Sequence, residues 1–355
     1  MTKSTLHVFP GLVSLLCFAM LLFPSPGQGV TIHEYVTPSA NSSPTGLAFD
    51  AGGHLWFTEI NTDKIARLDP SQAEPGTSRG IVEFNLPERF SKPNDIIVAR
   101  DGMVWFTEMG KHRIGRLDPG TGKIQEFAIP TPKSEPHNLV EAKDGSIWFV
   151  EFETNKIARL DPATGDIREF DVGPGHPHDL AIRGDTIWYS QGGKFWAKMF
   201  ANKIGSLHMQ TGKVKEITVP PNNSVPHGIT LAGDGVLWFT QMFANKIARL
   251  DFSRGSSPAI VEYSLAGKRK GPHDIVIDDK RRWAWFPLNR AGSIGRLDLK
   301  QAQPGTAQGM EEFPIPTHGS HPNSVALDAE GNVWFTEMGH YFMGKYQNKV
   351  GKLIP

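Results

Sequence analysis

The feature that most constrains the fold is a unit repeated seven times along the chain. Each copy contains the motif Trp-Phe-Thr-Glu or a close variant, preceded by a proline and followed by a segment similar to Asn-Lys-Ile-Ala-Arg-Leu-Asp. A period in the forties, with alternating aromatic and β-branched residues, is typical of the four-stranded antiparallel blades of a β-propeller. The repeated prolines, spaced 41 to 50 residues apart, are Pro44, Pro93, Pro136, Pro177, Pro226, Pro272 and Pro322.

The two ends of the chain supply complementary parts of one blade. A fourth strand of the type Ile-Val-Glu-Phe, first seen at Ile81, closes each of the first six copies, but the last copy ends near Leu353 without one. The missing strand is at the N-terminus, where Thr31-Ile-His-Glu-Tyr matches the same pattern. We therefore predict an all-β fold, a single seven-bladed propeller over residues 30–355 in which the N-terminal strand completes the last blade and removes the open sheet edge.

Composition excludes several classes of function. The chain has 355 residues with 37 basic and 37 acidic side chains, so it lacks the cationic surplus of a nucleic-acid binder or a polybasic membrane binder. Glycine (37) and proline (27) are abundant, as suits many short strands joined by turns. A closed ring leaves no strand edge to pair, and we accordingly expect a monomer.

Residues 1–29 are predicted to be a signal peptide. Lys3 precedes the apolar run from Leu12 to Phe23, and small, helix-breaking residues follow. The run is shorter than the roughly 20 residues of a membrane span, although an uncleaved anchor is the alternative. We expect export to the periplasm or medium and no membrane attachment after cleavage. Cys17, the one cysteine, lies in this segment, so the mature chain would hold no disulfide or thiolate.

Polar residues recur where the first strand of each blade begins and where the second ends. Both places should lie at one end of the central channel, because the two strands are antiparallel neighbours. The residues after the prolines are Thr45, Asn94, His137, His178, His227, His273 and Asn323. The residues ending the second strands are Glu59, Glu108, Glu151, Gln191, Gln241, Leu288 and Glu337. Imidazoles and carboxylates together suit proton transfer or a hard divalent cation.

The repetition also has a purely structural interpretation. A carboxylate found in most blades is the expected form of a residue that maintains the fold, which applies most to Glu59, Glu108 and Glu337. Four idle imidazoles on one rim are harder to explain structurally, since they would repel one another when charged.

The third blade differs from the others because a carboxylate precedes its Pro-His. Glu135, His137 and Glu151 give two carboxylates and an imidazole within one blade, a plausible metal-and-base arrangement.

Two longer connections carry aromatic residues that either bind a partly apolar ligand or pack locally. They are Phe195, Trp196, Met199 and Phe200 in the fourth blade, and Tyr341, Phe342, Met343 and Tyr346 in the seventh.

The amino-acid sequence of the repeat resembles that of the virginiamycin B lyase, or streptogramin B lyase, family. The resemblance is clearest in the fifth copy, with Pro-His-Gly-Ile-Thr, Leu-Trp-Phe-Thr-Gln and Asn-Lys-Ile-Ala-Arg-Leu-Asp, and it extends over nearly the whole mature chain. It implies a Mg²⁺-dependent propeller enzyme that confers antibiotic resistance by opening a cyclic depsipeptide at its ester bond, by elimination without water.

The family pattern also implies roles for particular residues. Glu135 and Glu151 would bind Mg²⁺, and His137 would remove the proton α to a carbonyl. Asn94, His178, His227 and His273 are the expected substrate contacts. The family has a second Pro-His where this chain has Asn94 and a tyrosine where it has His178, so base and metal ligands match but substrate contacts do not.

Three functions therefore stay open from sequence. The first is a Mg²⁺-dependent lyase acting on a cyclic ester or peptide-like small molecule. The second is a lactone hydrolase whose Ca²⁺ or Zn²⁺ would lie deep on the axis, held by residues such as His178, His227 and His273. The third is a non-catalytic propeller that binds a ligand or a protein.

Overall fold

The computed structural model describes Met1 and residues 29–194, 197–254, 258–340 and 344–355. Within these ranges the chain forms seven four-stranded antiparallel sheets, and each sheet takes its strands consecutively from the sequence except the one that contains both chain ends. The predicted seven-bladed all-β propeller is confirmed.

The first three blades have nearly identical strand lengths, as the close similarity of their sequences predicts. Blade 1 consists of β2 (Pro44–Phe49), β3 (Leu55–Glu59), β4 (Lys64–Leu68) and β5 (Ile81–Asn85). Blade 2 consists of β6 (Pro93–Val98), β7 (Val104–Glu108), β8 (Arg113–Leu117) and β9 (Ile124–Ala128). Blade 3 consists of β10 (Pro136–Glu141), β11 (Ile147–Glu151), β12 (Lys156–Leu160) and β13 (Ile167–Asp171).

The next three blades vary more in strand length. Blade 4 consists of β14 (Pro177–Arg183), β15 (Thr186–Lys194), β16 (Met199–His208) and β17 (Val214–Thr218). Blade 5 consists of β18 (Pro226–Leu231), β19 (Leu237–Gln241), β20 (Lys246–Asp251) and β21 (Ala259–Ser264), with a short 3-10 helix, Phe252–Arg254, before β21. Blade 6 consists of β22 (Val276–Asp278), β23 (Trp283–Leu288), β24 (Ser293–Asp298) and β25 (Met310–Pro314).

Blade 7 closes the ring as the sequence predicts. It consists of β26 (Pro322–Leu327), β27 (Val333–His340), β28 (Lys345–Ile354) and the N-terminal strand β1 (Thr31–Val36). β1 pairs antiparallel with β28 over six residues, from Thr31 opposite Ile354 to Val36 opposite Lys349. The backbone hydrogen bonds of this pairing join the two ends of the chain within one sheet.

The core lies between neighbouring blades and is built around the repeated tryptophans. Trp56 of β3 is fully buried, stacks on Phe84 of its own blade at 5.6 Å between ring centroids, and belongs to one apolar cluster with Ile96 and Phe106 of blade 2. Since strand side chains alternate between the two sheet faces, each second strand buries residues on both faces. This explains why these strands are almost entirely apolar.

The longer connections of blades 4 and 7 are extensions of the sheet. In blade 4, β15 and β16 continue as a hairpin in which Gly193 lies opposite Phe200 and Lys194 opposite Met199. In blade 7, Gly339 lies opposite Tyr346 in the same way. Phe195, Trp196, Tyr341, Phe342 and Met343 lie outside the described residues.

The predicted signal peptide also falls almost entirely outside the described residues, which resume at Gly29. In the part of the chain that the structure describes, no helix has the length and apolar character needed to cross a bilayer.

Tyr35→Ala tests whether closure by β1 stabilises the ring. Tyr35 is 6% exposed and stacks on Trp334 at 5.4 Å, so its loss should lower the free energy of unfolding by about 3 kcal/mol through lost burial and a new cavity. Urea unfolding followed by tryptophan fluorescence measures this. Thr31→Ala, at the exposed end of the same strand, is the control and should cost less than about 1 kcal/mol. Equal losses in the two variants would contradict the proposed role of the Tyr35 ring.

Candidate functional site

The channel mouth is shaped by an unusual backbone turn before the proline of every blade. The seven residues before the prolines all have left-handed backbone angles, with φ between 42° and 67°. Non-glycine residues seldom adopt this conformation, and a following proline normally favours extended backbone instead. They are Ser43, Lys92, Glu135, His176, Val225, Gly271 and His321. Such repeated strain indicates that the surrounding structure fixes this turn.

The residues that follow the prolines surround a cavity of about 400 Å³ on the channel axis. Those that line it are Asn94, His137, His178, His227, His273 and Asn323, while Thr45 is buried below the surface. All four substrate-contact residues expected from the sequence therefore lie in the wall of one cavity, together with His137.

The four histidines form a continuous arc across blades 3 to 6. The ring centroids are 5.8 Å apart between His137 and His178, 4.6 Å between His178 and His227, and 3.8 Å between His227 and His273. Burial lowers the pKa of each imidazole, and each neighbouring imidazole would add repulsion if charged. The pKa of His178 and that of His273 fall to about 4, so the arc is uncharged near neutral pH.

Hydrogen bonds distinguish the members of this arc. His178 Nε2 lies 3.0 Å from the Gly193 carbonyl oxygen, and His273 Nδ1 lies 3.1 Å from that of Asn323. Because a carbonyl can only accept, both nitrogens must carry the proton. His137 makes no comparable contact within the described residues, and its ring stacks flat on Phe152 at 4.4 Å with 4° between the planes. The His137 ring is thus oriented by stacking and keeps its nitrogens for a ligand.

Glu135 is placed in the cavity wall by the left-handed turn at the start of blade 3. Burial raises the pKa of its carboxyl, and so does the negative charge of Glu153, which lines the same cavity. Lys194 and Lys92 act in the opposite direction. Lys194 also forms an ion pair with Glu153, which joins the blade 4 hairpin to blade 3. The sequence analysis missed Glu153 because it lies two residues beyond the repeated motif.

Glu151 occupies a different position from Glu135. It is fully buried, does not line the cavity, and its Oε2 accepts a hydrogen bond of 2.7 Å from the Thr154 hydroxyl. Burial raises the pKa of Glu151 to about 7, and the nearby Glu169 carboxylate adds to the shift. Of the two predicted metal carboxylates, Glu135 therefore lines the cavity and Glu151 does not.

The equivalents of Glu151 in other blades show the same burial. Glu337 interacts with the Glu34 carboxylate, and its pKa is raised to about 9 by burial and by that neighbour. In blade 5 the same position holds Gln241, whose Nε2 donates a 2.8 Å hydrogen bond to the Glu262 carboxylate. Burial and the fourth-strand carboxylate raise the pKa of each of these glutamates, which favours the protonated form that an amide resembles as a donor. The structural interpretation of Glu59, Glu108 and Glu337 fits this geometry.

Three aspartates that the repeat pattern did not single out also line the cavity. Asp95, Asp179 and Asp274 line the cavity in alternate blades. The side chain of Asp179 accepts the Ile229 backbone N–H at 2.8 Å, and the other two accept equivalent N–H groups of the following blade. Burial raises the pKa of Asp95 to about 7 and that of Asp274 to about 6. Their first role is to join adjacent blades at the axis.

The opposite side of the cavity carries apolar side chains. Ile60, Met109 and Met338, from blades 1, 2 and 7, line it, and each directly follows the glutamate of the repeated motif. The cavity thus has an imidazole wall and an apolar wall, as a site for a partly apolar ligand requires. Of the aromatic hairpins, Phe200 contacts Phe243 at 5.8 Å, which is local packing between blades, while Met199 is exposed.

The acidic and imidazole side chains at the cavity determine which metal it can hold. Among the described residues, no three acidic or imidazole side chains converge closely enough to hold an ion, and this includes the histidines proposed for axial Ca²⁺ or Zn²⁺. Mg²⁺, however, commonly keeps several waters and is held by only one or two carboxylates. Glu135 and Glu153 in the cavity wall fit that requirement.

Comparisons with known proteins agree with this geometry. Residues 27–194 match the profile of the Virginiamycin B lyase family. A virginiamycin B lyase from Nocardia farcinica is 38% identical over 164 residues, which is 46% of this chain. The match spans 49% of that relative, about half of its length.

Solved structures extend the similarity over the whole propeller. A streptogramin B lyase structure superposes with a TM-score of 0.78 at 29% identity, covering 92% of this chain and 97% of that chain. A catalytically inactive histidine-to-alanine variant of virginiamycin B lyase from Staphylococcus aureus, solved with quinupristin, gives a TM-score of 0.76 at 27% identity and covers 92% and 100% of the two chains.

Glu337→Gln tests the protonated state of the buried glutamates. Because the pKa of Glu337 is raised from 4.5 to about 9, the folded protein binds more protons than the unfolded chain between these values, and stability falls as pH rises through this window. The glutamine variant should lose this part of the dependence and gain melting temperature relative to the parent at pH 8. Differential scanning calorimetry from pH 5 to 9 measures it.

Gln241→Glu is the reciprocal control, because it introduces a buried acid where blade 5 has an amide. The Gln241→Glu variant should lose more stability than the parent as the pH rises. Parallel pH curves for the parent and the Glu337→Gln variant would show that Glu337 is ionised in the folded protein.

Proposed function

We propose that this chain, which belongs to the virginiamycin B lyase family, is a carbon–oxygen lyase that opens a cyclic ester by elimination. The observation that carries the proposal is the placement of His137. Its ring stands in the cavity wall, oriented by stacking on Phe152, with no hydrogen-bond partner among the described residues. Of the four histidines in the arc, His137 is the one whose ring nitrogens contribute least to holding the fold.

The chain's own residues support the following chemistry. His137 removes the proton from the carbon α to a carbonyl, and the electrons of that C–H bond form a carbon–carbon double bond. The C–O bond at the adjacent carbon breaks, and the ester oxygen leaves with its electron pair as a carboxylate. No water is consumed, so the linear product has the mass of the cyclic substrate.

Glu135 is the residue best placed to hold Mg²⁺, with Glu153 beside it. When bound, Mg²⁺ supplies positive charge against the negative charge that develops on the carbonyl oxygen. Glu151, the second ligand implied by the family pattern, is directed to Thr154 and Glu169. Carboxylate oxygens favour Mg²⁺ or Ca²⁺ over Zn²⁺, which prefers nitrogen and sulfur donors.

The substrate we propose is a cyclic depsipeptide or a related peptide-like lactone. The cavity of about 400 Å³, with its imidazole wall and apolar wall, suits such a molecule, and a homologue has been solved with quinupristin. Asn94, His178, His227 and His273 would contact the substrate on the imidazole side. Because Asn94 and His178 replace the family residues, the preferred lactone should differ from that of the relatives.

We also propose that the protein is exported and acts as a monomer. The apolar run before residue 29 supports export, and the pairing of β1 with β28, which occupies the edge of blade 7, supports the monomer.

Mass spectrometry of a streptogramin B antibiotic incubated with the protein and Mg²⁺ tests the reaction. A linear product of unchanged mass is expected, and it should disappear with a chelator. His137→Ala should lower turnover by at least about 100-fold, the contribution typical of a positioned general base. His54→Ala, an imidazole bonded to Asp50 in a turn of blade 1, is the control and should keep full turnover.

The other outcomes of this experiment would support one of the two alternative functions. A product heavier by one water would make it a lactone hydrolase. No product with any of several cyclic lactones, together with measurable binding of one, would make it a binding propeller.

Titration calorimetry with Mg²⁺ distinguishes the candidate ligands. Glu135→Gln and Glu153→Gln should each weaken Mg²⁺ binding by about tenfold or more, because each removes a carboxylate from the cavity. Glu151→Gln is the matched comparison, and it should fold normally because glutamine occupies this position in blades 4 and 5. If only Glu151→Gln abolished Mg²⁺ binding, Glu151 would be the metal ligand that the family pattern implies. Glu153 would then be excluded as a ligand.

A further inference from the structure

The turn that carries Glu135 is held by a side chain that differs from its counterparts in neighbouring blades. Just before the third strand in blades 1, 2, 3 and 5, and within the third strand of blade 4, lies a residue with left-handed φ, between 53° and 59°. We call these five the clamp residues, because their side chains accept backbone N–H groups from the turn before the next blade. They are Asp63, His112, Asn155, Asn202 and Asn245.

The clamp contacts are short and regular. Asp63 accepts the N–H groups of Phe90 and Lys92 at 2.7 and 3.0 Å. Asn155 accepts those of Gly175 and His176 at 2.9 and 2.8 Å. Asp63 thus fixes two N–H groups that are two residues apart, and Asn155 fixes those of two adjacent residues.

The clamps of the next two blades accept equivalent N–H groups. Asn202 accepts the Val225 N–H at 3.2 Å, and Asn245 accepts the Lys270 N–H at 2.8 Å. Asp and Asn suit this position because they tolerate left-handed backbone and carry a short acceptor. Four of the five clamps are therefore the residues that the backbone favours.

His112 is the exception, and it holds the turn that presents Glu135. Its Nδ1 accepts the Glu135 N–H at 3.2 Å, while its backbone carbonyl accepts the Ile129 N–H just as the other clamps bond their own blades. Imidazole offers one acceptor in the plane of the ring, whereas carboxylate and amide oxygens offer several directions. A single directional hydrogen bond therefore takes the place of the two seen at Asp63 and Asn155.

We infer that His112 is a positioning residue for Glu135: its Nδ1 fixes the left-handed turn that points the Glu135 carboxylate into the cavity. His112 does not line the cavity, so it would act through Glu135 alone. The inference rests on the proposed function only for the expected effect on metal binding, since the hydrogen bond between His112 and Glu135 exists whatever the cavity binds. Groups that orient metal ligands typically change metal affinity or activity by 10–100-fold when they are removed.

The test uses His112→Ala and His112→Asn in the full-length protein. Hydrogen exchange of the Glu135 amide, measured by NMR, reports the contact directly, and it should be at least tenfold faster in His112→Ala. Titration with Mg²⁺ alone should show affinity weakened by about tenfold in the same variant. His112→Asn restores the clamp residue of blades 3 to 5 and should return both quantities to within about twofold of the parent.

Asn245→Ala is the matched control because it removes the same type of clamp in blade 5, whose turn carries Lys270 rather than an acidic cavity residue. It should speed exchange at Lys270 and leave Mg²⁺ affinity unchanged. Unchanged exchange at Glu135 in His112→Ala would overturn the inference, and so would faster exchange with unchanged Mg²⁺ affinity.

Absence of lyase turnover in the parent would refute the proposed function alone. Exchange of the Glu135 amide would still decide whether His112 fixes the turn. If the parent bound no Mg²⁺, the positioning role toward a metal would be overturned together with the metal assignment, while the exchange data would separately establish or refute the contact.

Discussion

The pairing of β1 with β28 is the interaction on which the rest of the structure depends. Six residues from each end of the chain form one antiparallel ladder, and this completes the seventh sheet. Because all seven blades contribute residues to the cavity wall, a gap at any point of the ring would move the imidazole wall relative to the apolar wall. Tyr35, stacked on Trp334, shows that closure uses side-chain packing as well as backbone hydrogen bonds. Closure of the ring therefore also fixes the geometry of the cavity.

Within the closed ring, fixed backbone turns separate the roles of neighbouring residues. At blade 3, the residue before the proline and the two residues after it all reach the cavity. Glu135, His137 and Asn138 therefore line one cavity from a single turn. The clamp residue of the preceding blade fixes the first of them, and the flat stack on Phe152 fixes the second. Chemistry at the mouth depends on these supports as much as on the residues that face a ligand.

Much of this arrangement is predictable from sequence because each local pattern, weak by itself, recurs in several blades. Seven copies of one motif predicted the blades, and the matching fragments at the chain ends predicted closure. The histidine arc followed from the position after each proline. The direction of Glu151 did not follow, because the sequence analysis considered which end of the strand it occupied and not which face. Alternation places Glu151 on the same face as Phe149, within the interface between blades, and glutamine at Gln191 and Gln241 was the available sign of a buried donor. Glu153 lies in a turn without repeat character, and its role depends on the tertiary contact with Lys194.

The contribution of separate blades to separate parts of the cavity wall has a consequence for how this architecture can change over time. The packing that holds a blade resides in its tryptophan and its proline turn, whereas the residues that follow the prolines in blades 2 to 7 face the cavity. A substitution at one axial position alters one sector of the wall and leaves the other six in place. Specificity can therefore change sector by sector while the scaffold stays constant.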